Sequence, residues 1–396
     1  MTYRHRHFVF SVPAKTITGW KTEREAWTYR GLDIDPPAAL RVDGDTVPPL
    51  PPGIERHVVA DWNRNLMRSA LQEIVALPLD RTAGSVVISR SQTGAIAFDG
   101  LGLPGRTVDL DAAVELTIVA LEQGADTVVL PVREHLPKIV VEDRSLRDQG
   151  IRELVAVGES DYTGSTKNRI HNIGVGLKKF NGHFIPQNST FSFVETLGPV
   201  GPKTGYRKEL TILGDKTMPD YGGGLCQVST TAYRGVWEAG FPIVQRKNHS
   251  FAVHYYSPQG TDATIYPPHI DMKFVNDGSG ALLIQTYNEG TKAYFLYYGT
   301  RDNRTAEIIG PYTWDHRAAP TETKTEYTTD LAPGERKKVG EKVPGMKAQW
   351  LRIVRRGDGE SIDSVFSAYE ARPLFYQIGV AGTGAVLPAD AVDPAA

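Results

Sequence analysis

A single cysteine, Cys226, in 396 residues excludes any disulfide within the chain. One thiol therefore leaves the redox compartment unread. Long apolar runs are missing too: no stretch approaches the roughly 18 residues that argue for a membrane-spanning helix. The formal net charge is only −2. With no Lys and Arg cluster interleaved with aromatics, nucleic acid is not an expected partner. The C-x-x-C, H-x-x-x-H and H-E-x-x-H spacings are absent around the lone thiol, so no metal or cofactor is expected. The first residues carry basic side chains and a short apolar run, Phe8 to Val12. That run falls short of the roughly 7–15 residues of a secretory core and reads as a first β-strand. A protein working outside the cell would need an export element that this stretch does not display.

What is present is the composition of a soluble globular protein, with 40% hydrophobic and 23% charged residues. The length allows two to four domains. Six prolines between Pro36 and Pro52, followed by Gly53, predict a loop or stiff connection. Asp61 then opens a helical pattern with Trp62, Leu66, Ala70, Ile74 and Leu77 on one face. The period changes at Ser85, where Val86–Ile88 and Ala95–Phe98 flank Gln92-Thr93-Gly94 as a β-hairpin. Asp109 caps a helix that Gly124 closes, and Thr127–Leu130 returns as a strand.

Farther on, Gly164-Ser-Thr166 caps a helix with Ile170, Ile173, Leu177 and Phe180 at helical spacing. Short strands follow around Phe191–Phe193 and Glu209–Leu213. Ile270–Val275, Leu282–Tyr287 and Ala293–Tyr298 are separated by Asn276-Asp-Gly-Ser-Gly and Asn288-Glu-Gly, both hairpin signals. Residues 320–379 alternate as a small all-β module. From Ala381 the composition is mostly Ala, Gly, Pro and Asp, which predicts disorder. The expectation is a multi-domain α+β protein, divided as 1–83, 84–150, 151–300, 320–379 and a tail, 380–396. No tandem repeat is visible.

The lone cysteine sits in Tyr221-Gly-Gly-Gly-Leu-Cys-Gln-Val-Ser-Thr230. Three glycines permit positive φ and close backbone approach before a helix begins. Leu225, Val228, Ala232, Val236 and Ala239 form its apolar stripe. Cys226 falls off that stripe, in line with Thr230, Tyr233 and Trp237. Free N–H groups in the first turn favour a thiolate and suit a developing oxyanion. The plain alternative is a small buried hydrophobe.

A nucleophilic thiol needs a base and a group that orients the base. His249 is the candidate base and Asp262 the orienting acid, with His254 as a rival. His171, His183 and His269 are not excluded by spacing. Arg246 is placed either on a substrate carboxylate or in an ion pair.

These residues resemble the VanW family, named for an accessory protein of type-B vancomycin resistance clusters. The marks run from about Asn168 to Asn276: Asn168-Arg-Ile-His-Asn172, Asn181-Gly182, Phe191-Ser-Phe193, Gly205-Tyr206, Gly222-Gly-Gly-Leu-Cys-Gln-Val-Ser-Thr-Thr231, Arg246-x-x-His249-Ser250, Tyr255-Tyr256, Gly260-x-Asp262-Ala263-Thr264 and Lys273-Phe-Val-Asn276. Residues 84–137 look like the peptidoglycan-binding module that often precedes such a domain, and 320–379 are similar to a G5-type β module.

The resemblance implies an extracytoplasmic, cell-wall role and a peptidoglycan L,D-transpeptidase that forms 3-3 cross-links through a cysteine thioester. Its partner would be peptidoglycan stem peptides. Carried over, Cys226 is the nucleophile, His249 the base and Asp262 its orienting acid. Gly222, Gly223, Gly224, Gln227, Ser229, Thr230, Arg246, Ser250 and Tyr256 would line the substrate or oxyanion site. Two alternatives stay open: a non-catalytic peptidoglycan-binding protein, and a cysteine peptidase or carboxypeptidase acting on stem peptides.

Overall fold

The computed structural model describes residues 1–35, 52–213 and 216–381. The proline-rich connection, apart from Pro52 and Gly53, and the tail beyond Ala381 lie outside the described residues. The chain is α+β and forms two compact units: Met1–Ala83 with Pro104–Leu136, and Gly84–Leu103 with Pro137–Ala396.

The first unit holds two three-stranded sheets and one two-stranded sheet, with Arg64–Leu71 and Leu110–Glu122 as its longer helices. Thr2–His5 pairs antiparallel with Phe8–Ser11 and parallel with Thr127–Val129. Lys21–Tyr29 pairs antiparallel with Ile54–Trp62. That pairing runs to Trp62, which is therefore the end of a strand and not the start of a helix. Asn63 caps the helix Arg64–Leu71 by accepting the Leu66 N–H at 3.0 Å. The helix starts two residues later than expected, and a different face is buried. Met67, Leu71 and Val75 are in the core, whereas Leu66 and Leu77 are exposed. The Asp109 helix forms as expected, over Leu110–Glu122.

Residues 84–150 are shared between the units. The hairpin Ser85–Arg90 and Ile96–Gly100 adds the parallel strand Lys138–Val141. The helix Leu110–Glu122 instead contributes Ala113, Val114 and Ile118 to the core holding Trp20, Met67 and Leu71.

The second unit is built around the helix Leu225–Glu238. One side rests on a four-stranded sheet whose order is Glu153–Asp161, Lys292–Gly299, Leu282–Glu289, Phe184–Ile185. Gly235 and Gly158 make this contact possible, because a Cβ at Gly235 would lie 2.5 Å from the Gly158 nitrogen. Its other side meets C-terminal strands, where Trp237 and Trp350 pack edge to face at 6.2 Å. Both sides being covered, the expected polar face is buried: Thr230, Tyr233 and Trp237 have almost no exposure. Cys226 is half-buried.

Two local expectations change. Asn276-Asp-Gly-Ser-Gly is not a hairpin, since Lys273–Val275 pairs with Thr190–Ser192 and Ile243–Gln245 in another sheet. The Asn276 side chain instead ties that crossing to the Ile185, Pro186 and Gly280 carbonyls, each at 3.1 Å. Phe193 also leaves the short strand Thr190–Ser192 and begins a helix, with Ser192 accepting the Glu195 N–H as its cap.

The C-terminal part is all β. Gly345–Arg356 lies between Thr305–Arg317 and Gly359–Tyr369, and Leu374–Gly379 lies between Thr323–Thr328 and Arg336–Gly340.

Candidate active site

Cys226 is the second residue of its helix, behind Gly224 at φ 112°. Each glycine of the preceding run has a steric reason. A Cβ at Gly223 would come within 2.8 Å of the Leu210 carbonyl oxygen, and one at Gly222 within 2.6 Å of the Val200 side chain. Gly224 and Gly222 also hold left-handed φ, which L side chains rarely adopt. The turn leaves donors over. Gly222, Leu225 and Gln227 donate their amides to Arg207, Gly222 and Gly224 carbonyls. The amides of Gly223, Gly224 and Cys226 have no acceptor among the described residues.

The sulfur meets Thr264 Oγ1 at 3.5 Å and the Ile265 carbonyl at 3.8 Å. The imidazole of His249 lies close enough to act on the sulfur electrostatically. His249 donates Nδ1–H to Asp262 Oδ2 at 2.5 Å, and its backbone N–H to the same oxygen at 2.8 Å. This fixes the ring and leaves Nε2 for the sulfur. Tyr256 stacks on the imidazole, with centroids 4.8 Å apart. Asp262 is closed in from its other side by Tyr369, which donates to Oδ1, and by Arg246 Nη2 at 3.1 Å.

The electrostatics follow from that chain of contacts. Burial pushes the Cys226 thiol up, but interaction with the His249 imidazole outweighs it and brings the thiol down to about 7. Burial pushes His249 down, and Asp262 and the thiolate outweigh that, raising the imidazole to about 9. Burial would raise Asp262, yet His249, Arg246 and Tyr369 hold it well below the ordinary carboxylate range. Between about 7 and about 9 the pair is therefore thiolate and imidazolium.

The rival histidines lie elsewhere. His171 Nε2 is 2.9 Å from the Gly205 carbonyl, His183 packs on Phe191, His254 on Tyr255 and His269 on Tyr266. Arg246 is not open to a substrate carboxylate. Nε donates to the Asp262 carbonyl, Nη1 to Phe366 O and Ser367 Oγ, and Nη2 to Gly260 O and Asp262 Oδ1. That uses every N–H of the guanidinium. Ser229 and Thr230 are fully buried, and Thr230 Oγ1 accepts the Ala263 N–H at 3.0 Å. A solvent-borne substrate reaches neither. Gln227 is also buried, its carbonyl held by Arg169 at 3.2 Å. Ser250 anchors the C-terminal strands by accepting the Glu370 N–H at 2.7 Å.

Four contributors were not foreseen as site residues: Thr264, Ile265, Arg169 and Tyr369. The first three fall inside or beside motifs already quoted. Tyr369 is 107 positions from Asp262, and no local pattern could have linked them. Among the described residues, no group of three or more His, Cys, Asp or Glu is arranged to hold a metal ion. No helix among them is long and apolar enough to cross a membrane.

Fold and site together define an α+β protein with a Cys–His–Asp constellation at a glycine-capped helix start. Its residues 168–298 match the family model described as VanW like protein, so the chain carries a VanW-like domain. The uncharacterized protein YoaR of Bacillus subtilis is 30% identical over 178 residues, covering 45% of this chain and 57% of YoaR. The vancomycin B-type resistance protein VanW of Enterococcus faecalis is 31% identical over 116 residues, covering 28% of this chain and 42% of that protein. The matched segment thus spans less than two thirds of either relative.

Proposed function

We propose that this protein is an extracytoplasmic cysteine acyltransferase that acts on peptidoglycan stem peptides, of the L,D-transpeptidase type. The observation that carries it is the half-buried Cys226 electrostatically coupled to a His249 that Asp262 orients. The likeness to a vancomycin-resistance protein supports the choice of cell-wall substrate.

In the first half-reaction the Cys226 thiolate attacks the carbonyl carbon of a stem-peptide residue. The oxyanion faces the unmatched amides of Gly224 and Cys226 and the positive end of the helix. His249 gives its proton to the departing amine, the C–N bond breaks, and a thioester remains. In the second half the amine of a neighbouring stem attacks the thioester, and neutral His249 takes up the proton that amine loses. The amide forms and the thiolate leaves, restoring the ion pair.

Mass spectrometry after incubation with a disaccharide-tetrapeptide tests this. The expected result is an acyl adduct on Cys226, lost in Cys226→Ala, and a 3-3 cross-linked product once acceptor is added. Cross-linking that persists in Cys226→Ala sinks the proposal. Released amino acid without any cross-link converts it to a carboxypeptidase.

A further inference from the structure

Arg169 packs against the start of the cysteine helix and shares no polar partner with Arg246. It lies in the first turn of the helix Lys167–Lys178, where its backbone N–H donates to the cap Thr166. Its stem runs along the start of the cysteine helix: a Cβ at Gly224 would lie 3.1 Å from Arg169 Cγ. Its guanidinium sits over the Tyr255 ring, 4.4 Å from the centroid. Nη1 donates to Ser165 Oγ and Nη2 to Gln227 Oε1, both at 3.2 Å. Nε and one hydrogen on each terminal nitrogen have no partner among the described residues, and no carboxylate there pairs with this cation.

Gln227 adds a second, independent observation. It is fully buried, and with its carbonyl fixed on Arg169 its amide Nε2 has no acceptor. Buried donors are almost always matched in folded proteins. Gln227 thus orients a half-buried arginine that has no carboxylate partner among the described residues, and the remaining N–H groups of that guanidinium are donors for an anion. The guanidinium fork suits a carboxylate.

We propose that Arg169, its guanidinium held by the buried Gln227 carbonyl, forms a carboxylate subsite that takes the free α-carboxylate of the residue expelled when Cys226 is acylated. This assignment rests on the acyl-transfer reading above. The carboxylate of a donor ending one residue past the broken bond lies about one residue length, roughly 3.3–3.6 Å per residue, beyond the reacting carbonyl. The subsite would therefore select donors of that length and reject those that continue or are amidated.

The test uses the full chain and two synthetic stem tetrapeptides, one ending in a D-alanine carboxylate and the other in its carboxamide. Acylation of Cys226 by the carboxylate peptide should be roughly 10- to 100-fold faster, the size of a charge-assisted hydrogen bond. Arg169→Gln should lose that preference and Arg169→Lys should keep part of it. The pH midpoint of Cys226 alkylation by iodoacetamide should stay unchanged in both. A preference that survives Arg169→Gln, or that vanishes only together with the alkylation midpoint, overturns the subsite. Calorimetry on Cys226→Ala reads binding without chemistry, and there the carboxylate peptide should bind about tenfold tighter. Preferential binding without any adduct in the wild type refutes acyl transfer and leaves the subsite standing. Equal binding alongside an adduct does the reverse.

Discussion

The two walls of the cysteine site differ in how completely their polar groups are matched. On the histidine wall, Asp262 accepts from His249, Arg246 and Tyr369, and Arg246 has no N–H left over. On the helix wall, the amides of Gly223, Gly224 and Cys226, the Arg169 guanidinium and Gln227 Nε2 all keep unmatched donors. A fully matched buried network fixes one geometry and one charge distribution. Under the proposed reaction the contrast is a division of labour: one wall would keep a proton in place, and the other would receive negative charge.

Removing the base should break the contrast most severely. His249→Asn takes away the proton donor and the charge that lowers the thiol, so acylation of Cys226 should fall by roughly 10²- to 10⁴-fold. The alkylation midpoint, expected at about 7 in the wild type, should rise toward that of an ordinary thiol. An unchanged midpoint would assign the low thiol to the helix start alone.

The two arginines offer the next largest difference. Arg246 and Asp262 have side-chain exposures of 7% and 1%, so Arg246→Ala leaves a buried carboxylate short of its cation. Urea unfolding should show a loss of about 3–5 kcal/mol. Arg169→Ala removes a half-buried side chain with no ion pair, and its loss should stay within about 1 kcal/mol. Equal losses would erase the proposed difference between matched and unmatched walls.

How much of this was legible in the chain depends on the range of each interaction. The glycine run, the helix after it and the His249–Asp262 pair all show in local patterns, because each is made within one turn or 13 positions. The buried polar side of the cysteine helix was not legible. Burial of Tyr233 and Trp237 depends on strands more than a hundred residues downstream, which no helical period records. The choice between the two readings of Arg246 was not legible for the same reason, since Phe366 and Ser367 take two of its donors. The two-residue slip from Asp61 to Asn63 has a different cause: a strand ending in Asp61-Trp62 imitates a helix cap followed by an apolar residue.

Asp262→Asn sharpens the electrostatic half of the comparison. Asp262 is what raises the His249 imidazole against burial, so its neutral replacement lowers His249 and, through it, raises Cys226. The ion pair exists only above the thiol value and below the imidazole value, and the two move toward each other. At pH 7 iodoacetamide alkylation should slow by about tenfold as the thiolate fraction drops. A faster reaction would mean that Asp262 holds the thiolate back.

The smallest effect belongs to Tyr369, and it decides whether the C-terminal strands belong to the histidine wall or only cover it. Tyr369 donates to Asp262 Oδ1 and accepts the Gly260 N–H at 2.9 Å, while Ser367 Oγ, two residues earlier, donates to the Gly260 carbonyl at 3.1 Å. Tyr369→Phe keeps the ring and its packing but removes one charge-assisted bond, worth about 1.5–3 kcal/mol. Arg246 remains on the same oxygen, so Asp262 stays ionised and His249 stays oriented. Acylation should therefore fall by only about threefold, less than the slowing in Asp262→Asn, with the alkylation midpoint moved slightly upward because Asp262 is less firmly fixed. A rate unchanged within error would make the strand Gly359–Tyr369 a cover. A loss as large as that of Asp262→Asn would make Tyr369, and not Arg246, the residue that sets the acid.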